Sequence, residues 1–394
     1  MRVLLINSLY APHESGGAER SVRILARGLR SRGVKVAVAA TARTNDEGEI
    51  DGIPVYYART SSLYWVGDAA QQPWHRKVRW HLRDATNKSV APWLRGIVEK
   101  ENPDVVHTHN LSGWSTYAWS VARSERRRIV HTIRDHYLLC TKSTMFRDGS
   151  NCRTPCTVCT WHGRRKARGV LPLDAVTAVS DYILQRHRKH GRLPPAQTYR
   201  CIPNGVELPA APKAGEQPTR MFTFGFVGAV APHKGVELLL RVFAQCQMPN
   251  AQLLIFGRAS SPEYETRLRR KYETSATVFC GQQEAQSAFP QMDVLVVPSL
   301  CHEALGRVVL EAYAHGVPVI AAQRGGLPEI VQSDVTGYLF HPELDTELES
   351  RMKAAVASPD RLASMREACR VQARQFSSDL VSNSFLALYE EVVR

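Results

Sequence analysis

The sequence contains no apolar run that approaches the roughly 20 residues needed to cross a bilayer. The apolar stretch within its opening residues, MRVLLINSLYAP, is also too short for a signal peptide. Neither a membrane-spanning nor an exported protein is expected, and we predict a cytoplasmic location. Internal repeats and low-complexity segments are missing as well, which argues against a repeat array or a mainly disordered chain.

Cysteines are few and odd in number, nine in all, which argues against a disulfide framework and fits a reducing compartment. Five of them are scattered singly. The other four lie in a polar insertion at about residues 140–168: Cys140, Cys152, Cys156 and Cys159. Their spacing is compatible with a small structural zinc site, and reduced thiols without a ligand or one disulfide are the alternatives.

Acidic residues are scarce in the first half of the chain. Residues 1–205 hold 33 Lys and Arg against 16 Asp and Glu, a net charge of +17, whereas residues 206–394 hold 18 against 21, a net charge of −3. The positive electrostatic field of the first half attracts nucleic acid, anionic lipid or a phosphate-bearing substrate. Groove-reading and base-stacking signatures are missing, so we expect no nucleic-acid partner, and a basic nucleic-acid-binding protein is the alternative from another class.

A short basic segment with two tryptophans points to a membrane surface. The segment PWHRKVRWHL, residues 73–82, interleaves Trp74 and Trp80 with Arg and Lys. A helix of this composition can lie in the interface of an anionic membrane. We therefore predict peripheral attachment to the inner membrane face.

The chain is longer than a single hydrophobic core usually supports, so two domains are expected. Apolar strand patterns alternate with helical periodicity, and the alternation restarts after a Pro-rich linker at residues 207–220. This predicts an α/β protein with two Rossmann-like, doubly wound parallel sheets that face an interdomain cleft. Strands are predicted at residues 3–7, 34–39, 104–107, 129–133, 175–179, 199–202, 222–227, 252–256, 277–280, 293–297 and 317–321, and a last amphipathic helix at 380–393.

Glycine-containing turns before helices are candidate phosphate sites, because helix N-termini present free amides. Gly17 precedes the first helix, Gly228 ends the first strand of the second domain, and Lys234 introduces the helix that follows. A lysine there neutralises a diphosphate without a metal ion. Tight turns and a solvated lysine are the alternatives.

The segment at residues 293–331 carries two carboxylates on one strand–loop–helix unit. Glu303 follows a strand, Gly306 opens a helix and Glu311 lies about one and a half turns into it. Amides from Leu305 to Arg307 are placed to hold a phosphate, and Glu311 to accept hydrogen bonds from ribose hydroxyls. Exposed or capping glutamates are the alternative.

The chain carries, in this order, the motifs GGAERSVRILARGL (16–29), IPNGV (202–206), GFVGAVAPHKG (225–235), the pair Glu303 and Glu311, and GGLPEIV (325–331). The motifs and their order resemble those of glycosyltransferase family 4, retaining enzymes with the GT-B fold. The resemblance implies an acceptor-binding domain at 1–205, a nucleotide-sugar-binding domain at 206–376, and a C-terminal helix at 377–394 that packs back toward the first domain. A nucleotide-sugar epimerase is the alternative within enzymes.

The resemblance also implies how the donor is held. Glu311 would bind the ribose, Glu303 the transferred sugar, and Lys234 with the amides near Gly306 the diphosphate of a UDP- or GDP-sugar, while Gly17 would approach the same phosphates. The acceptor would be a polysaccharide or a lipid-linked glycan. No catalytic metal or other cofactor is expected, and the sequence contains no Asp-x-Asp pair of the kind that holds Mg²⁺ or Mn²⁺.

Two departures from the family pattern bear on the site. Ala229 replaces an arginine that many relatives carry after the strand glycine, and Arg258 or Arg307 would compensate. Arg134 stands where relatives have His before Asp135. An arginine cannot accept a proton, but it can bind a sugar hydroxyl or an acceptor phosphate. The candidate catalytic residues are therefore Glu303, Arg134, Asp135 and His109. His107 lies beside His109 at the same strand end.

Overall fold

The computed structural model describes residues 1–14, 16–60, 63–209 and 221–394. It contains two compact units. Unit 1 comprises Met1–Met145, Cys152–Gly205 and Ser378–Arg394, and unit 2 comprises Phe146–Asn151 and Val206–Ser377. The end of the chain thus belongs to unit 1. Most of the predicted linker, residues 210–220, lies outside the described residues.

Unit 1 is built on an eight-stranded sheet in the order β10-β9-β6-β5-β1-β2-β4-β3. All neighbouring strands are parallel except β3, which runs antiparallel to β4. The strands are β1 (Arg2–Ile6), β2 (Lys35–Thr41), β3 (Asp46–Ile50), β4 (Ile53–Ala58), β5 (Val105–Thr108), β6 (Arg128–Ile133), β9 (Leu173–Ala178) and β10 (Ala196–Cys201); the two-residue strands β7 (Phe146–Arg147) and β8 (Ser150–Asn151) form a hairpin that belongs to unit 2.

Seven α-helices are found in the described part of unit 1. They are α1 (Gly17–Arg30), α2 (Trp74–Asp84), α3 (Ala91–Glu101), α4 (Tyr117–Ser124), α5 (Thr157–Ala167), α6 (Asp181–Lys189) and α14 (Ser378–Val393). The apolar face of α14, including Phe385 and Leu388, joins the same core as Val22 and Leu25 of α1. The Tyr389 hydroxyl on α14 lies 2.6 Å from Nδ1 of His107 on β5. The last helix is therefore part of the unit 1 core.

Unit 2 contains a six-stranded, fully parallel sheet in the order β13-β12-β11-β14-β15-β16. Its strands are β11 (Phe222–Val227), β12 (Ala251–Phe256), β13 (Thr277–Gly281), β14 (Val294–Val297), β15 (Val319–Ala322) and β16 (Gly337–Phe340). Its helices are α7 (Val236–Cys246), α8 (Pro262–Tyr272), α9 (Ala285–Ala288), α10 (Arg307–Ala314), α11 (Leu327–Ile330), α12 (Asp345–Ala357) and α13 (Pro359–Gln375). Buried residues on both faces explain why these strands read as continuous apolar runs.

The predicted α/β class with two Rossmann-like parallel sheets is confirmed. Every predicted strand is present with its ends within three residues of the prediction, whereas β3, β4, β7, β8 and β16 were not predicted. In the part of the chain that the structure describes, no helix is both long and apolar enough to span a membrane. The prediction that Trp80 faces a membrane is wrong, because its side chain is buried against Tyr64 and its indole N–H donates to the Tyr64 carbonyl.

Candidate active site

The loop after β14 and the start of α10 bring the two predicted carboxylates onto one short unit. Gly306 has a φ of +95° and precedes the first residue of α10, Arg307. A Cβ on Gly306 would lie 2.4 Å from Cδ2 of Leu327, so glycine is required there for space as well as for backbone conformation. Glu303 consequently lies in the loop and Glu311 within the helix, as predicted.

Glu303 forms an ion pair with Lys234. Lys234 Nζ donates to Glu303 Oε1 at 2.7 Å, and the Ser299 hydroxyl donates to the same oxygen at 2.6 Å. The two charged side chains are 29% and 16% exposed. Burial alone would raise the pKa of Glu303, but the Lys234 ammonium and the Ser299 hydrogen bond lower it overall. Glu303 is therefore held as a carboxylate.

The Gly325–Gly326 pair fixes the backbone of Glu303. Gly326 N donates to the Glu303 carbonyl at 2.9 Å, and Gly325 N donates to His302 Nδ1 at 3.2 Å. Gly325 has a φ of +59°, and a Cβ there would lie 2.1 Å from the Glu303 carbonyl oxygen. The glycine pair therefore allows the two loops to pack backbone to backbone.

Lys234 is positioned by the loop between β11 and α7. It ends a short 3₁₀ turn and is followed by Gly235, whose φ is +71°. A Cβ on Gly235 would lie 1.8 Å from the Pro298 carbonyl oxygen, so this loop lies directly against the one that follows β14. The His233 carbonyl accepts from the amides of Leu300 and Cys301 at 3.0 and 3.1 Å, which joins the two loops further.

The departure at Ala229 lies in this same loop. Gly228 has a φ of +149°, and its carbonyl oxygen would lie 1.8 Å from a Cβ on Gly257, so the two strand ends touch. The amide of Val230 donates to the Arg258 carbonyl at 2.9 Å. Arg258 therefore lies beside the loop with its side chain exposed, and its compensating role stays a prediction.

Arg307 and Glu311 pair along α10. Arg307 Nε lies 3.1 Å from Glu311 Oε1, and the two side chains are 10% and 13% exposed. Leu305, two residues before the helix, is buried. The arginine that was predicted to meet phosphate thus already neutralises the carboxylate that was predicted to meet ribose.

In unit 1, Gly17 is the first residue of α1 and Gly16 is its N-cap. The first turn also carries a carboxylate, Glu19, which is buried. Burial raises the pKa of Glu19, although hydrogen bonds from the backbone of Glu19 and Gly16 oppose the shift. A side chain of the protein therefore already interacts with the amides of this helix start.

Arg134 is held by two neutral partners in unit 1. Its Nε donates to His109 Nδ1 at 3.1 Å, and its Nη1 donates to the Asn204 side-chain oxygen. His109 Nε2 is buried and has no hydrogen-bond partner among the described residues. Burial, the neighbouring His107 and then Arg134 lower the pKa of His109 well below its usual range. His109 is thus neutral at physiological pH, with Nδ1 as acceptor and a proton on Nε2.

Asp135 lies beside Arg134 and accepts a hydrogen bond from the backbone amide of Tyr137 at 2.7 Å. Burial raises the pKa of Asp135 to about 6, and the Tyr137 amide and the buried Lys166 offset only part of that shift. A carboxyl group with this pKa can exchange a proton near neutral pH.

Comparison with known proteins identifies the family. The sequence matches the family model described as Glycosyltransferase Family 4 over residues 15–209, and the model described as Glycosyl transferases group 1 over residues 209–376. The two matches together leave out only the ends of the chain. The chain belongs to glycosyltransferase family 4.

Relatives and solved structures extend this result. A Klebsiella pneumoniae protein described as an uncharacterized 42.6 kDa protein in the cps region is 28% identical, over 84% of this chain and 87% of its own. The D-inositol 3-phosphate glycosyltransferase of Segniliparus rotundus is 26% identical, over 97% and 86%. Anabaena HepE, crystallised with UDP-glucose, aligns with a TM-score of 0.70 at 18% identity, over 99% and 100%. The GT-B fold of this glycosyltransferase is thereby confirmed.

The cysteines of the glycosyltransferase insertion form one small cluster. Cys140 and Cys159 are buried with Leu139 and Met145, and Cys152 and Cys156 pack against them. All four are free thiols. Among the residues that the structure describes, no group of three or more His, Cys, Asp or Glu side chains is arranged to hold a metal ion. The geometry therefore lends the predicted structural zinc no support, and zinc binding stays a prediction.

The structure brings some predicted residues together and adds others. Lys234 and Glu303 are in direct contact, and Arg307 and Glu311 form a second pair on α10. Three contacting residues were not predicted: Ser299 beside Glu303, Asn204 beside Arg134, and Asn151, whose side chain bonds the Leu300 carbonyl and the His302 amide. Asn204 belongs to the IPNGV motif, so the motif could have pointed to it. No local pattern marks Ser299 or Asn151.

Proposed function

We propose that this glycosyltransferase moves a hexosyl unit from a UDP- or GDP-sugar to an acceptor, with retention of configuration at the anomeric carbon. The observation that carries the proposal is the Lys234–Glu303 ion pair at the loop before α10. It places a cation beside a carboxylate where parallel sheets bind ligands, beyond the carboxyl ends of the strands.

The donor is proposed to lie along unit 2. Glu311 accepts hydrogen bonds from the ribose, and the amides from Leu305 to Arg307 with the Lys234 ammonium bind the diphosphate. Glu303 then receives hydroxyls of the transferred sugar on its second oxygen, because Oε1 is already occupied by Lys234 and Ser299. Gly228 gives the phosphates close access to the backbone, and Arg258 adds a cation at the edge.

Bond cleavage is assigned to electrostatic stabilisation of the leaving nucleotide diphosphate. Charge accumulates on the phosphate oxygens as the glycosidic bond breaks, and a preorganised cation with helix amides stabilises it without reorganising. The acceptor attacks from the face that the diphosphate leaves, which gives retention. Glu303 is not proposed as a nucleophile, because its carboxylate is already bound to Lys234 and Ser299.

Unit 1 is proposed to bind the acceptor. Arg134, held by His109 and Asn204, presents a permanent positive charge to a sugar hydroxyl or an acceptor phosphate. Asp135, with its raised pKa, is the group that takes the acceptor proton. The acceptor class is a polysaccharide or a lipid-linked glycan.

The protein is proposed to work in the cytoplasm, on the inner membrane face. Trp74 on α2 is 77% exposed and Val78, one turn later, is 47% exposed, with Arg76, Lys77 and Arg79 between or beside them. On α5, Val158 and Trp161 are 56% and 47% exposed. Exposed aromatics among cations bind the interface of anionic bilayers. Sedimentation with anionic liposomes should be sensitive to salt and reduced by Trp74→Ala; salt-independent or absent binding would contradict this proposal.

Turnover assays test the transfer itself. Purified protein is incubated with UDP- and GDP-sugars, with and without lipid-linked acceptors, and nucleotide diphosphate and anomeric configuration are measured. The proposal expects nucleotide release that depends on acceptor and an α-linked product from an α-linked donor. An inverted product would contradict retention. An epimerised donor without nucleotide release would contradict transfer.

A further inference from the structure

A cavity of about 560 Å³ opens in unit 1 beside the C-terminal end of α2. This volume is in the range of small-molecule binding sites. Four cationic residues line it: Arg59, Arg83, Lys88 and Arg165. Among the described residues, Asp84 is the only carboxylate in the lining. The cavity therefore has a strong excess of positive charge.

Asp84 is directed toward the protein. Its Oδ1 accepts from the Gly113 amide at 2.7 Å, and its Oδ2 accepts from the Tyr137 hydroxyl at 2.8 Å. The side chain is only 3% exposed, and the buried ammonium of Lys166 lies near enough to oppose the effect of burial on its pKa. Both carboxylate oxygens are thus satisfied, so Asp84 does little to repel an anion in the cavity.

Three of the four cationic side chains are available to a ligand. Within the described residues, Arg59, Lys88 and Arg165 form no ion pair with a carboxylate. Arg165 Nε is buried and has no hydrogen-bond partner in that part of the chain. Its guanidinium lies over the Trp161 ring, 5.0 Å from the centroid, which restricts its orientation. A guanidinium whose orientation is already restricted loses little entropy when it binds an anion.

The neutral lining is held in place by its own hydrogen bonds. Asn87 Nδ2 donates to the carbonyls of Thr60 and Gly113 at 2.7 and 2.8 Å, and the Ser89 hydroxyl donates to Asn87 Oδ1 at 2.6 Å. These bonds join the segment after β4 to the segments that precede α3 and α4. A preorganised lining loses little entropy when a ligand binds.

We propose that this cavity binds the phosphate or diphosphate group of the acceptor. Arginine side chains bind phosphate oxygens through paired N–H donors, and a lysine adds charge without directional demand. The inference rests on the proposed function only in assigning the ligand to the acceptor. A soluble phosphorylated sugar and a lipid-linked diphosphate offer the same chemistry, so the tests separate them.

Calorimetric titration of the full chain with inorganic pyrophosphate tests the chemistry. Wild type is expected to bind pyrophosphate at two kinds of site, this cavity and the donor site, and Lys234→Gln removes the second. Arg165→Gln should weaken binding at the first roughly ten- to a hundredfold, as expected for loss of a charged hydrogen bond. Arg164→Gln is the matched control, because Arg164 is the exposed neighbour on α5 and does not line the cavity.

Arg164→Gln and Lys88→Gln separate a local effect in the cavity from a general effect of lost charge. Equal weakening by Arg164→Gln and Arg165→Gln, or no weakening by Arg165→Gln, would overturn the inference. Lys88→Gln is a second cavity variant, with an exposed position that folding tolerates, and it should also weaken binding at this site. Nucleotide affinity should be unchanged in the cavity variants. If pyrophosphate does not bind in the cavity but nucleotide still binds, the cavity inference fails and the proposed function stands. The two failures are therefore distinguishable.

Vesicle flotation separates the two sources of the phosphate. Neutral phosphatidylcholine vesicles are prepared with or without a few per cent of a polyprenyl diphosphate, and pyrophosphate is added as competitor. Recruitment that needs the diphosphate lipid, is displaced by pyrophosphate and is lost in Arg165→Gln supports a lipid-linked ligand. Pyrophosphate binding without such recruitment supports a soluble phosphorylated acceptor, and absence of both contradicts the proposal.

Discussion

Lys234 Nζ lies 2.7 Å from Glu303 Oε1, although the two residues are 69 positions apart in the sequence. Lys234 follows β11 and Glu303 follows β14, and these two strands are neighbours in the parallel sheet. Loops that follow neighbouring parallel strands meet at the same edge. A cation and a carboxylate are therefore held together before any donor is present, through one oxygen of Glu303.

Replacing Lys234 by Gln should lower kcat by about 10², because removing one preorganised group from a developing anion costs roughly that much. The change also leaves the buried Glu303 without its cation, so a lower melting temperature is expected. Lys353→Gln is the control, since Lys353 forms an exposed pair with Glu349 at 2.6 Å. Steady-state kinetics with unchanged kcat would contradict the role assigned to Lys234.

Replacing Glu311 by Gln should weaken nucleotide binding about ten- to a hundredfold, as expected for a hydrogen bond to a charged group. Calorimetry with UDP and GDP measures it. Glu349→Gln is a matched control, because Glu349 also pairs with a cation four residues away on a helix, but at a more exposed position. If both variants bind nucleotide like the wild type, Glu311 does not contact the ribose.

Much of the fold could be predicted from the sequence because burial on both faces makes parallel strands read as apolar runs. The strand β3 was missed because it is exposed and carries the acidic pattern DEGEI. Its buried antiparallel partner β4 was missed with it. The strand β16, Gly337–Phe340, was missed because it begins with a glycine, a residue that is depleted in strands.

The candidate site was predictable where chemistry and spacing coincide in one segment. Glu303, Gly306 and Glu311 lie within nine residues, so the strand–loop–helix pattern places them. Contacts between distant segments were not predictable. The Arg134–Asn204 bond joins residues 70 positions apart, and Arg134 replaces the usual histidine, so only packing reveals that His109 contacts it.

Replacing Gly325 by Ala should destabilise unit 2 and displace Glu303. The left-handed φ of +59° costs an alanine about 1–2 kcal/mol, and the clash with the Glu303 carbonyl adds about 1–3 kcal/mol. Gly281→Ala is the matched control, because Gly281 has a φ of +70° but no atom within 4 Å of its Cβ position. Urea titration followed by circular dichroism measures both.

The difference between the stability losses of Gly325→Ala and Gly281→Ala isolates the contribution of the clash. Turnover should fall only in Gly325→Ala. Equal destabilisation by the two substitutions would mean that the Glu303 loop moves aside freely. In that case the Gly325–Gly326 pair does not position the carboxylate, and the GGLPEIV motif acts through its backbone conformation alone.

Unit 1 should lose stability on acidification, and tryptophan fluorescence can follow it alone. All seven tryptophans lie in unit 1. Burial lowers the pKa of His81 and His187 to about 4 and that of His131 to about 3. Below pH 6.5 the unfolded chain binds protons that the folded chain cannot, so each histidine costs roughly 2 kcal/mol between pH 7 and pH 5.

Buried carboxyl groups act in the opposite direction, since burial raises the pKa of Asp135, Glu19 and Asp84. Asp135 has a folded pKa of about 6, so the folded state binds its proton first and gains stability as the pH falls below 6. More buried histidines than carboxyl groups are shifted, since the pKa values of His107 and His109 are lowered as well, and the free energy of unfolding from urea titration should fall between pH 7 and pH 5. His187→Gln should make that fall smaller by roughly 2 kcal/mol, since it removes one of these contributions. His75→Gln, at an exposed position on α2, is the matched control and should keep the wild-type slope. A free energy that rises on acidification would show that the buried carboxyl groups, and not the histidines, dominate proton uptake in unit 1.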